Sequence, residues 1–278
     1  MTHATLWNGS LRSQTLPEQL ESARLGGFDA LTMTPHFYQR SVAEGVTAAD
    51  IRSMAADQGV RITHLDPLAT WAPVWIPDNV PADWMPFFDT PVPDFLRMCD
   101  ELGCESFTAI CTAPRGSVAT EEFIEPFHAL CTQAAEHGLR VDLEFIPIWT
   151  LPDLESAWQV VRSADAPNGG IMFDFWHFFR STADFDVLAS IPAHRIHAVQ
   201  ACDALLHTRQ GRTDLEDCLD DRLPLGQGEF DVPRVFECLR GMGALSNVGP
   251  EYFSSVMDGL TPRQVAEIIE ETYWPWMR

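Results

Sequence analysis

Short apolar runs alternate along this chain with longer segments whose apolar residues return every three or four positions. The first pattern predicts buried strands and the second predicts helices with one apolar face. The runs place strands at Thr5–Asn8, Ala30–Met33, Arg61–Leu65, Ser106–Thr112, Arg140–Phe145, Gly170–Phe175, Ile196–Ala201 and Ser246–Tyr252. Helical spacing marks Pro17–Leu25, Ala48–Gln58, Pro93–Leu102, Glu121–Glu136, Leu154–Arg162, Val232–Arg240 and Pro262–Tyr273, with a less regular helix near Ala183–Ala189. Eight strand-then-helix units in one chain predict an α/β fold, a single-domain (β/α)8 TIM barrel over residues 1–278. A doubly wound open sheet is the competing arrangement. It would be favoured by a glycine fingerprint after the first strand, and Leu6-Trp7-Asn8-Gly9-Ser10-Leu11 has none.

The strand ends carry the candidate chemistry. The runs Val141-Asp142-Leu143-Glu144, Met172-Phe173-Asp174, His197-Ala198-Val199-Gln200 and Pro250-Glu251 each finish on a carboxylate or an amide. In a barrel these neighbouring ends meet on one side of the mouth. Carboxylates brought together out of water cost several kcal/mol each unless a cation compensates them, so roughly that penalty argues for a bound divalent metal. The candidate ligands are Glu144, Asp174, Gln200 and Glu251. Their oxygen donors suit Mn²⁺, Mg²⁺ or Co²⁺ better than Zn²⁺. His177 follows Asp174 just beyond its strand, as a further ligand or as a substrate contact. His197 is expected to be a packed core histidine.

Two insertions interrupt the strand–helix rhythm. One, at about residues 69–90, holds Trp71, Trp75, Trp84, Phe87 and Phe88 among prolines. Loops after barrel strands lie at the catalytic face, so this segment is expected to act as an aromatic lid, with Trp71 and Trp75 lining the substrate pocket. The other, Leu206–Gln227, is charged.

Composition narrows the function classes. The 278 residues carry a formal charge of −22, which repels nucleic acid and anionic membranes. All 18 cationic side chains are Arg. Without lysine there is no Schiff-base chemistry, no lysine general base and no Walker A loop. No run of apolar residues is long enough for a membrane helix, and Met1-Thr2-His3-Ala4 does not open a secretory signal. The seven cysteines are dispersed, as expected for reduced thiols. A cytoplasmic enzyme is the expectation, with a homo-oligomer left open.

The segments Leu143-Glu144, Phe173-Asp174-Phe175-Trp176-His177-Phe178-Phe179-Arg180, Val199-Gln200-Ala201-Cys202-Asp203, Leu225-Gly226-Gln227-Gly228-Glu229-Phe230-Asp231 and Pro250-Glu251 together carry a resemblance. Through them the whole chain resembles the sugar phosphate isomerase/epimerase family of xylose isomerase-like TIM barrels. The resemblance implies metal ligands at Glu144, Asp174, position 200 and Glu251. This chain departs from the pattern at position 200, where Gln replaces the family's His, although an amide oxygen can still bind a hard cation. The resemblance also implies that Glu144 and Glu251 exchange protons with the substrate, with His177 and Arg180 close to it. Arg222, just before the glycine loop, is a further candidate contact.

These parts predict a divalent-metal-dependent isomerase or epimerase that moves a proton next to the carbonyl of a sugar or keto-sugar. The alternative is a lyase working through the same enediolate: an inosose- or dehydroshikimate-type dehydratase, or an enzyme that cleaves an oxidised glycoside. Two further classes fare worse. An abasic-site endonuclease conflicts with the charge and the absence of lysine. A non-catalytic binding protein conflicts with three carboxylates kept at strand ends.

Overall fold

The computed structural model describes residues 4–245 and 247–278. The start of the chain at Met1-Thr2-His3 and the first residue of the predicted last strand, Ser246, lie outside the described residues. Eight strands among them form one parallel sheet in sequence order. They are β1 (Thr5–Leu6), β2 (Ala30–Met33), β3 (Arg61–Leu68), β4 (Ser106–Ile110), β5 (Arg140–Glu144), β6 (Gly169–Asp174), β7 (Ile196–Ala201) and β8 (Val248–Pro250). The sheet returns on itself to form a nearly closed TIM barrel. The Trp7 amide donates to the Pro250 carbonyl at 3.4 Å, and a Cβ on Gly249 would stand 1.6 Å from the Thr5 carbonyl oxygen. Only glycine admits so close an approach between the first and last strands.

Helices cover the outside: α1 (Leu16–Leu25), α2 (Pro35–Ala43), α3 (Ala48–Asp57), α4 (Val92–Leu102), α5 (Ile124–Glu136), α6 (Leu154–Ala164), α7 (Phe175–Arg180), α8 (Phe185–Ser190), α9 (Asp214–Asp220), α10 (Val232–Met242), α11 (Pro262–Thr272) and α12 (Trp274–Met277). Besides α12 at the end of the chain, α2, α7 and α9 were not expected from periodicity. Each of these three is short and is started by a side-chain cap: Thr34 accepts from the Phe37 amide, Asp174 from the His177 amide and Thr213 from the Glu216 amide. Such caps satisfy amide groups that a first helical turn leaves unpaired. They act even where too few residues follow to show a period.

Strand alternation sorts side chains between two apolar regions. Val141 and Leu143, Ile171 and Phe173, and Val199 and Ala201 face the helices and join the main core. Their alternates face the barrel interior. Trp7, Met172 and Ala198 pack there, beside a polar chain in which Asp142 Oδ1 lies 2.7 Å from His197 Nδ1. His64 Nδ1 is 2.7 Å from Ser106 Oγ, and its Nε2 is 2.7 Å from Thr108 Oγ1. Above this layer the same strands carry Glu144, Asp174 and Gln200, so the fold sets the candidate site on the carboxyl ends of β5 to β8.

The interior layer implies a pH effect on folding. Burial lowers the His64 pKa to about 4, only partly opposed by the charge of Asp142. In the unfolded chain a histidine titrates near ~6.5. Between these values the unfolded chain binds a proton that the folded chain refuses. Stability should therefore fall as pH drops from about 6.5 toward 4, by up to about 3 kcal/mol from this residue. Urea denaturation at pH 7, 6 and 5 checks it; a midpoint that does not move would contradict it.

Candidate active site and metal centre

Glu144, His177, Gln200, Arg222 and Glu251 line one cavity of about 480 Å³ at the barrel mouth, and Asp174 stands beside them, 2.6 Å from Arg222 NH1. Each is almost fully buried. The ladder between β6 and β7 places Asp174 opposite Gln200, and the Glu251 amide donates to the Ala201 carbonyl at 3.0 Å. Asp174 Oδ1 caps α7 through the His177 amide at 2.7 Å. That cap turns the chain so that His177 Nε2 comes 3.4 Å from Glu144 Oε1. Ligand atoms of Glu144, Asp174 and His177 lie within 4.8 Å of one another, a grouping able to hold a metal ion.

Arg222 lies among the acids rather than on the surface. Its NH1 donates to Asp174 Oδ2 at 2.6 Å and to Glu251 Oε2 at 3.1 Å, while Nε donates to the Cys218 carbonyl at 2.9 Å. The guanidinium also lies over the Phe253 and Trp176 rings. Burial alone would lower the Arg222 pKa, but Asp174 and the other negative neighbours hold it well above the ordinary value. The glycine loop fixes this arginine. Asp203 Oδ1 accepts from the Ala204 and Phe230 amides and Oδ2 from the Gly226 amide. Asp203 and Leu223 exchange backbone hydrogen bonds at 2.8 and 2.7 Å. A Cβ at Gly228 would meet Asp203 Oδ1 at 2.2 Å. The Gly-x-Gly string is thus a close-packing device that aims Arg222 inward.

Asp66 was missed by the sequence reading. It sits in β3, one residue past the predicted strand end, and it faces the same cavity. It ends an apolar run as the other acids do, and that signal could have found it. Gln200 Nε2 lies 3.4 Å from Asp66 Oδ2 and donates to Glu251 Oε1 at 3.1 Å. Gln200 Oε1 is buried with no partner. Burial, followed by the nearby Glu144 charge, pushes the Asp66 pKa well up. Burial raises Glu251 likewise, against the pull of Arg222. For Asp174, Arg222 overcomes burial and keeps the pKa low. Asp66, Glu144, Asp174 and Glu251 thus cluster around Arg222, while Arg12 and Arg40 also line the cavity. The clustered carboxylates and the unpartnered Gln200 oxygen, with the His177 nitrogen close by, together fit a divalent cation.

Three predicted substrate contacts are not in this cavity. Trp71 is buried in the main core, edge-on to Phe123 and Phe127, and its Nε1 donates to the Ile110 carbonyl at 2.9 Å. It stands only three residues past β3, before the chain has left the barrel wall, so its ring packs under the helices. Trp75 is half-buried and does not line the cavity; its carbonyl accepts from the Thr112 hydroxyl. Arg180 turns away to Asp217, with Nε and NH2 at 2.8 and 2.7 Å from Oδ2. The Trp176 indole shares that oxygen at 2.9 Å, so Arg180 clamps α7 to α9. The later part of the insertion does reach the cavity, through Val80, Trp84, Phe87 and Phe88.

A profile of the xylose isomerase-like TIM barrel family matches residues 20–274. The chain belongs to that family. It is 24% identical to a 3-dehydroshikimate dehydratase of Pseudomonas putida over 91% of its own length, while spanning 38% of that relative. With an inosose isomerase of Bacillus velezensis the identity is 21%, over 95% of this chain and 92% of the other. Among solved structures, the IOLI protein with a bound zinc atom superposes with a TM-score of 0.82 at 18% identity, covering 99% of this chain and 98% of that one. The dehydratase and the isomerase are enzymes by name, and this cavity lies at the carboxyl ends of the strands, the face where TIM-barrel active sites sit. No helix among the described residues is long and apolar enough to cross a membrane.

Proposed function

We propose that this protein is a divalent-metal-dependent isomerase or epimerase that moves a proton next to the carbonyl of a sugar or keto-sugar. One observation carries the reading: Glu144, Asp174 and Glu251 form one buried acidic cluster at the barrel mouth, beside the unpartnered Gln200 oxygen. Glu144, Asp174 and Glu251 hold the cation, and Gln200 or water completes its shell. Mn²⁺, Mg²⁺ or Co²⁺ suits these oxygens. When bound, the cation supplies a Lewis acid that steadies negative charge developing on the substrate. Glu144 and Glu251 take up and return the proton at carbon. His177 donates a hydrogen bond to a substrate hydroxyl, and Arg222 holds the Glu251 carboxylate in place. The inosose isomerase supports this class by its likeness over nearly the full length of both chains.

A lyase is the second reading, and the likeness to 3-dehydroshikimate dehydratase favours it. The same proton abstraction then leads to loss of water or another leaving group. Running the reaction in D₂O separates the two. An isomerase or epimerase should place deuterium on the carbon that lost its proton. A lyase should form an unsaturated product. An isomerised product without deuterium, under conditions of fast solvent exchange, would point to a hydride shift and against the carboxylate base. In the same assay His177→Asn should lower kcat about 10²-fold, as for a lost acid–base group, with metal content near normal. Loss of the metal would instead make His177 a ligand.

A further inference from the structure

The cavity has two unlike halves. Its floor carries Asp66, Glu144, Glu251, Gln200, His177 and Arg222. One wall is Val80, Trp84, Phe87, Phe88, Ile148 and Trp149, drawn from the insertion after β3 and the segment after β5. These side chains belong to a small apolar cluster separate from the main core. Phe88 stands edge-on to Trp149 at 5.9 Å and 87°, and Trp84 leans on Phe87 at 5.6 Å. The Trp149 indole is pinned, donating to Asn79 Oδ1 at 2.8 Å. Trp84, Phe87 and Ile148 nevertheless remain only half-buried. Phe37, Leu219 and Phe253 add further apolar lining, and the His36 ring lies 4.6 Å from Phe87.

A small polyol seated on the floor would leave this wall against water. Apolar surface held open inside a concave site is a binding feature rather than a packing one. The barrel does not need it, since the main core lies elsewhere. The volume also falls in the range of roughly 300–1,000 Å³ that suits ligands larger than one sugar ring. We infer that the substrate is amphipathic: a cyclic polyol or keto-sugar bearing a planar apolar, aryl-type substituent, whose ring lies against Trp84, Phe87 and Trp149. This rests on the reading of the floor as the sugar site and adds the substrate class to it.

The test compares phenyl β-D-glucopyranoside with methyl β-D-glucopyranoside, titrated calorimetrically into Mn²⁺-loaded protein and into chelated protein. Burying a phenyl ring in place of a methyl group should tighten binding at least about tenfold. Phe87→Ala and Ile148→Asn, on two separate segments, should each reduce that ratio toward one. Equal affinities in the native protein, or no binding of the phenyl glycoside, would overturn the inference. So would a ratio unchanged in a folded wall variant. The ratio reports the wall alone. The metal dependence of the absolute affinities reports the floor, so failure of the metal-dependent reading leaves the phenyl preference measurable.

Discussion

Stripping divalent metal from this protein should abolish turnover, and Mn²⁺, Mg²⁺ or Co²⁺ should restore it. The expectation follows from the charge balance at the barrel mouth. Asp66, Glu144, Asp174 and Glu251 cluster at the barrel mouth, with the Arg222 guanidinium bonded to Asp174 and Glu251 among them. In the absence of metal, burial favours the protonated forms of Asp66 and Glu251. A bound divalent ion reverses that preference by supplying local positive charge. Glu251→Gln should lower both metal content and kcat, because it removes one charged oxygen and leaves the shape. Metal analysis alongside turnover checks both effects. Full activity in metal-free protein, or undiminished metal content in the Glu251 variant, would remove the basis for the proposed centre.

Arg222→Met should produce the largest loss of stability of any single change at the site. The guanidinium is 1% exposed and bonds to Asp174 and Glu251 at once. Breaking a buried pair by removing one partner strands the other charge, at a cost of about 3–5 kcal/mol. Excess Mn²⁺ should recover part of this loss, since an ion that binds only the folded state stabilises it by mass action. Urea denaturation with and without Mn²⁺ provides the measurement. An unchanged midpoint in the variant would mean that the two carboxylates do not depend on the arginine. A deficit that Mn²⁺ leaves untouched would mean that the cation does not replace it at these oxygens.

Much of the fold could be read along the chain, because strand and helix periods are local properties of a few neighbouring residues. The eight strands, and the long helices α1, α3, α4, α5, α6, α10 and α11, repeat their pattern over enough residues to be recognised. The short helices α2, α7 and α9 do not. Their existence depends on caps at Thr34, Asp174 and Thr213, and Asp174 looked like the end of a strand because it serves both elements. The last strand is shorter than the apolar run around it, since only Val248–Pro250 finds a partner in β7.

The candidate site divides along the same line. Glu144, Asp174, Gln200 and Glu251 were visible because period-two alternation tells which residues share a strand face, and a barrel brings neighbouring strand ends together. The sequence by itself therefore determined the barrel, the acidic mouth and the exclusion of lysine chemistry. Only the tertiary structure decided where long side chains on irregular segments point. Trp71 and Trp84 belong to one insertion, yet the first packs beneath the helices and the second walls the cavity. Arg180 and Arg222 are both arginines in motif segments, yet the first pairs with Asp217 and the second with Asp174 and Glu251. A loop side chain has no period to reveal its direction. Its place is set by which distant charge or ring reaches it first, here through Asp203 gripping the amides of Gly226 and Phe230 across a stretch of chain that no local pattern spans.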